Sequence, residues 1–378
     1  MISNFSTHFT KNKSGKPNNP LVLTLDAGGT NFVFDAIQSV KQIAIPITQP
    51  SHAHDLNKCL EGMVQGFNAL IAQLGQQPDA ISFAFPGPAD YQNGIIGNLG
   101  NLPAFRGGVA LGPMLEHIFK VPVFINNDGD LFTYGESQYG FLPELNNKLT
   151  ENSLQKRYKN LIGITIGTGF GGGIVRDSSL LLGDNGASGE VWLLRNFINP
   201  NTFAEEGISA RAITQKYCSE SRTPANGLQP HDVYQIAKGT RIGNQHAALL
   251  AFETMGKALG DALAEVITLF DANVVIGGGL SAAHDLFFPS MIQQMNSSFA
   301  EPKGSSVKRL ESTIYNFENP NDLKTFLNSN RVEVVVPVSG AVIPYHADKK
   351  LCVGVSRLGT NKAVALGAYA FAVQQLQG

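Results

Sequence analysis

Three times along this chain an apolar, β-forming run empties into glycines: LVLTLDAGGT (residues 21–30), LIGITIGTGFGGG (161–173) and NVVIGGGLS (273–281). Each reads as a strand ending in a tight turn. In α/β sheets ligands sit at the carboxyl ends of strands, and glycine turns there let backbone N–H groups approach an anion closely. Three such turns suit a polyphosphate. The intervening helices are legible too: from Asp55 the residues Leu56, Leu60, Met63, Phe67, Leu70, Ile71 and Leu74 recur at helical spacing until Gly75. A longer helix spans 244–270, and an alanine-rich one closes the chain, with Gly367 permitting close packing.

The middle run contains Gly167, Gly169 and Gly172, which satisfy G-x-G-x-x-G, the dinucleotide fingerprint. That fingerprint must open a helix, so that the helix N-terminus faces the pyrophosphate. Here the glycines lead into IVRDSSLLLGDNG, which reads as a hairpin. A dinucleotide site is thereby disfavoured.

At 378 residues the chain is long enough for two cores with a cleft between them. The expected division is a leader, 1–19, then a smaller lobe of 20–135 plus 361–378, and a larger lobe of 136–360. The leader is polar and aperiodic and reads as flexible. The net charge of −2, without any basic block, gives no footprint for nucleic acid. No apolar run is long enough to span a membrane. Cys59, Cys218 and Cys352 are too scattered for a disulfide framework or a zinc pattern, which fits a cytoplasmic protein. The polar stretch 146–160 is expected on the surface, and 302–330 reads as an excursion of weak periodicity.

The motifs in sequence order resemble those of the ROK family of sugar kinases, within the actin, hexokinase and Hsp70 ATPase superfamily. LDAGGTN resembles the first phosphate motif, INNDGDLFTYGE the first connecting segment, TIGTGFGGGIV the second phosphate motif, VVIGGGLS the adenosine motif and ALGAYAFA the second connecting helix. FPGPADYQNG and NLGNLPAFRG are similar to the sugar-side segment. The resemblance covers about 21–290 and the last helix. It implies a two-domain, ribonuclease H-like α/β fold with an interdomain cleft, and ATP-dependent phosphorylation of a hexose or amino-hexose hydroxyl.

Carried residue by residue, the resemblance makes Asp128 the general base, with Asp130 as its internal competitor, and Asn101, Asn127, Glu190 and Glu205 ligands of the sugar. Glu206 replaces Glu205 if the register slips by one. Gly28, Gly29, Thr30 and Asn31, with Gly167, Thr168 and Gly169, would hold the phosphates of ATP. Gly277, Gly278 and Gly279 would lie beside the adenosine. Asp26, at a strand end beside a glycine turn, can direct its carboxylate at Mg²⁺ or the waters around it. Small-molecule sugar is the implied partner, and a homodimer is consistent with the family.

The match breaks at SGEVWLLRN (188–196): Glu190 is kept, but Trp192 stands where the family usually has glycine and Leu193 where it has histidine. The family's zinc ligands are also missing, so no structural zinc is expected. Trp192 either stacks on the sugar or fills the volume left by the zinc loop. The alternative to a kinase is a ROK-like sensor that binds sugar and nucleotide with little turnover.

Overall fold

The computed structural model describes residues 19–87, 89–97, 103–224, 227–301, 304–328 and 331–378. Two mixed sheets organise them. In the first, β1 (Val22–Ala27) and β2 (Asn31–Gln38) form an antiparallel hairpin with Ala27 opposite Phe32. On the other side of β1, β3 (Ala80–Ala84) and β4 (Val123–Asn126) run parallel to it in turn. Helix α1 (Leu56–Leu74) begins where the Asp55 side chain accepts from the Lys58 N–H and stops at Gly75. Its Cys59, Met63, Phe67 and Leu70 face the sheet, and Phe67 meets Phe34 edge to face at 5.1 Å.

Helix α2 (Asp128–Tyr139) leaves β4 for the second sheet. There β5 (Leu161–Ile166) and β6 (Phe170–Arg176) form the second glycine hairpin. Helix α3 (Gln245–Phe270) supplies much of the core on this side. β7 (Asn273–Gly277), β8 (Thr313–Asn316) and β9 (Lys350–Val355) complete a sheet ordered Ser179–Leu180, β6, β5, β7, β9, β8. The first sheet has the matching order Lys41–Gln42, β2, β1, β3, β4. Each therefore carries an antiparallel hairpin on one flank of a central strand and parallel strands on the other, the ribonuclease H-like arrangement; the second adds β8 at its edge.

The sheets are joined by α2 and α4 (Thr360–Gln377), which pack along each other. A methyl group at Gly135 would collide with the Ala363 carbonyl, and one at Gly367 with the Leu131 carbonyl. Glycine at both crossings brings the two backbones into contact. At the end of α2 the buried Glu136 accepts from the Phe141 N–H at 2.7 Å and the Leu358 N–H at 3.0 Å, fixing both chain exits.

One stretch lies on the surface as expected and a second differs. Residues 146–160 are exposed or half-buried except for Leu149, and the first six of them close a helix, Phe141–Glu151, that buries Leu142 and Leu145 as well. The 302–330 stretch holds β8 and a helix, Pro320–Leu327, capped by Asn319. β8 pairs with β9, whose residues follow it by more than thirty positions, a partner that local periodicity does not reveal.

Candidate active site

β4 delivers Asn127 and Asp128 to the start of α2. Asn127 is the N-cap, its side chain accepting from the Gly129 N–H at 2.7 Å, and Asp128 Oδ1 accepts from the same N–H at 2.8 Å. The carboxylate is set at the positive end of a helix dipole. Asp128 and Asp26 line one cavity of about 510 Å³ with Thr24, Asp35, Pro86 and Lys362. Asp128 is reachable by solvent, yet protein encloses it on most sides, as at the floor of a cleft. That enclosure pushes its carboxyl above the ordinary value, against the hydrogen bond from Gly129 and its own N–H. Asp26 is raised by burial and then by the charge of Asp128.

Asp130 differs from Asp128 in access. It is only 3% exposed, and its Oδ1 has no hydrogen-bond partner. Burial pushes it well above the ordinary carboxylate value, helped by Glu190 and then Asp128. The buried Asp130 does not line the cavity that Asp128 opens into. Glu190 thus lies within electrostatic reach of Asp130, while Asn127 is tied to the Tyr91 hydroxyl at 3.5 Å.

Tyr91 is a residue the motifs did not single out. Its hydroxyl donates to the Phe85 carbonyl at 3.0 Å. Burial pushes the phenol up, and the charges of Asp128, Asp130 and Glu190 push it further, against the bond with Asn127. It is a neutral group among three carboxyls, and only the fold could bring it there. Asn101 lies outside the described residues.

The three glycine turns differ in what they leave open. At the first, Ser51 donates from Oγ to the Gly29 carbonyl at 2.6 Å and from N–H to the Thr30 carbonyl at 2.9 Å, and Gly29, Thr30 and Asn31 stay exposed. At the second, the Gly167 N–H donates to the Gly169 carbonyl at 2.9 Å and Thr168 is exposed. Glu205 belongs to this turn: its Oε2 accepts from the Phe170 N–H at 3.0 Å, while Glu206 faces Arg211. At the third, Gly277 lies against the Phe132 ring, and Gly278, at φ 83°, is wedged against the Ile166 backbone. The Gly278 N–H donates to Thr360 Oγ1 at 2.9 Å, whereas Gly279 has open space beside it.

Glu190 precedes the short turn Val191–Leu193 and is exposed, and the Trp192 indole N–H donates to its Oε2. The loop that follows is held by the buried Asn196, whose Oδ1 accepts from the N–H groups of Ile198 at 2.9 Å and Asn199 at 3.1 Å. Among the described residues no group of three or more His, Cys, Asp or Glu is arranged to hold a metal ion. That does not conflict with Mg²⁺, which is commonly held by one or two carboxylates together with substrate phosphates. The Asp26 carboxylate, which lines the cavity and is raised by burial and then by the charge of Asp128, fits such a cation.

A model of the ROK family matches residues 22–316. A glucokinase from Parabacteroides distasonis superposes with a TM-score of 0.87 and 49% identity, over 95% of this chain and 99% of that one. N-acetylmannosamine kinase from Haemophilus influenzae is 30% identical over 268 residues, 69% of this chain and 81% of that protein. A ROK family glucokinase from Streptomyces griseus, solved with glucose and AMPPNP, superposes with a TM-score of 0.58 over 93% of this chain and 98% of that one. At 15% identity this last likeness is one of fold.

Proposed function

The chain belongs to the ROK family, and from that premise we propose that it is an ATP-dependent kinase of a hexose or amino-hexose hydroxyl. The observation that carries the reading is the pairing of Asp128 with Asp26 across one cavity at the end of β1 and the start of α2. The glucokinase and N-acetylmannosamine kinase relatives support the substrate class, and the AMPPNP complex of the Streptomyces griseus enzyme supports the phosphoryl donor.

Phosphoryl transfer asks the protein for positioning and for compensation of charge. Asp128, as general base, accepts the proton of the attacking hydroxyl; its raised pKa makes it a stronger base than an ordinary carboxylate, and such groups typically contribute about 10²- to 10⁴-fold. Asn127, Glu190, Glu205 and Asn101 hydrogen-bond sugar hydroxyls. Glu205 also braces the second glycine turn, so it couples sugar position to phosphate position. Gly28 to Asn31 and Gly167 to Gly169 face the phosphates, and Gly277 to Gly279 lie beside the adenosine. When bound, Mg²⁺ neutralises charge on the phosphates, and Asp26 would hold it through water.

The lobes, 20–135 with 361–378 and 136–360, meet along α2 and α4, and their closure excludes water that would hydrolyse ATP. The reading carries with it a cytoplasmic enzyme that acts on a free sugar. No helix of the described residues is long and apolar enough to cross a membrane, and Cys59, Cys218 and Cys352 are unpaired thiols. The test is ADP release from Mg²⁺-ATP over a panel of hexoses, N-acetylhexosamines and ketoses. Stimulation by at least one sugar is expected; a rate no sugar raises above the sugar-free control would leave a binding sensor as the better description.

A further inference from the structure

Two turns carry the acids proposed to meet the sugar, and one aromatic pair joins them. Glu190 precedes the turn Val191–Leu193, and Phe203 precedes the turn Ala204–Glu206 that holds Glu205. The Trp192 ring stands edge-on to Phe203, with centroids 5.6 Å apart at 89°, and packs on the core beneath β5 and β6. The backbones are stitched at the same place, the Ala204 N–H donating to the Leu194 carbonyl at 2.7 Å. From this anchored ring the indole N–H reaches Glu190 Oε2.

An indole has one donor and no acceptor, so its polar capacity is committed to Glu190. Glu190 is otherwise exposed and, without that bond, would sample many rotamers before binding. We propose that Trp192 is a sugar-positioning residue: its N–H holds Glu190 Oε2 so that Oε1 is presented in one orientation to a single sugar hydroxyl, in fixed relation to Glu205. The ring itself packs on protein. This resolves the choice between stacking and filling in favour of a third role, and it rests on the proposed placement of Glu190 at the sugar.

Trp192 is the only tryptophan in the chain, so its emission reports this bond directly. Binding of D-glucose and of N-acetylmannosamine to the full-length protein is measured without ATP, by calorimetry and by tryptophan fluorescence. At least one sugar is expected to change the emission saturably, and Glu190→Ala, which removes the acceptor, to shift it before any sugar is added. Trp192→Phe keeps an aromatic ring but loses the donor; it should weaken that sugar by about tenfold, because preorganisation is lost, with the ATP KM within about twofold of wild type. The Trp192→Phe, Glu190→Ala double variant should bind no more weakly than Glu190→Ala alone. Wild-type affinity in Trp192→Phe, or identical emission in wild type and Glu190→Ala, would overturn the inference while leaving the kinase reading intact. Weakened binding in Trp192→Phe without sugar-stimulated ADP release in wild type would support the inference and overturn the kinase reading. Failure of wild type to bind either sugar would overturn the inference.

Discussion

Thr360 Oγ1 accepts the Gly278 N–H at 2.9 Å, so the first residue of α4 is bonded to the glycine turn that ends β7. The helix that crosses from one sheet to the other is thereby anchored at the proposed adenosine loop. Thr360→Val keeps the β-branched shape and removes the acceptor, leaving a part-buried N–H unpaired at a cost of about 1–3 kcal/mol. Denaturant unfolding should show that loss, and steady-state kinetics should show the ATP KM rising more than the sugar KM. An unchanged ATP KM would detach this bond from nucleotide binding.

Gly278 itself cannot carry a side chain without strain. At φ 83° it occupies a region that L-residues rarely adopt, and a methyl group there would run into the Ile166 backbone. Gly278→Ala should destabilise by on the order of 1–3 kcal/mol from backbone conformation alone, with the collision added to it. Gly279→Ala meets open space at the adjacent position and serves as the control. Equal unfolding midpoints for the two variants would contradict the geometry.

Asp130 gives a pH-dependent prediction. A buried carboxyl held well above 3.8 binds its proton more tightly in the folded than in the unfolded chain. Stability therefore falls as pH rises from 3.8 toward the native value and stays low above it. Asp130→Asn removes the titration, so its unfolding temperature should exceed wild type most near neutrality, with the advantage shrinking as the pH falls. Parallel melting curves across pH would show that Asp130 does not titrate as described.

For the proposed base the same direction acts on rate. A base works as the carboxylate, so kcat/KM should decline as pH falls through the pKa of Asp128 in the free enzyme. Enclosure raises that value, which places the acidic limb above the ordinary 3.8. A limb at or below 3.8 would assign it to a different group.

Much of this architecture was legible because it is local. Strands running into glycines, the Asp55-to-Gly75 helix and the β5–β6 hairpin each declare themselves within a few residues, and five motifs in order carried the family. What stayed hidden depends on distant partners. β8 becomes a strand only against β9, and Tyr91 reaches Asn127 across 36 positions. Glu205 was expected at the sugar on motif alignment, yet its bond to Phe170 spans 35 positions and ties it to the second glycine turn as well. Trp192 was visible as a departure from the family pattern, but its bond to Glu190 and its contact with Phe203 required the folded loop.

The most direct test of the account is sugar-stimulated ADP release by Asp128→Asn beside the wild-type enzyme. The substitution keeps the side-chain shape and the helix start while removing the proton acceptor, so kcat should fall by about 10²-fold or more with sugar and ATP still bound. A variant that retains a rate within about threefold of wild type, far short of that loss, would contradict Asp128 as the base.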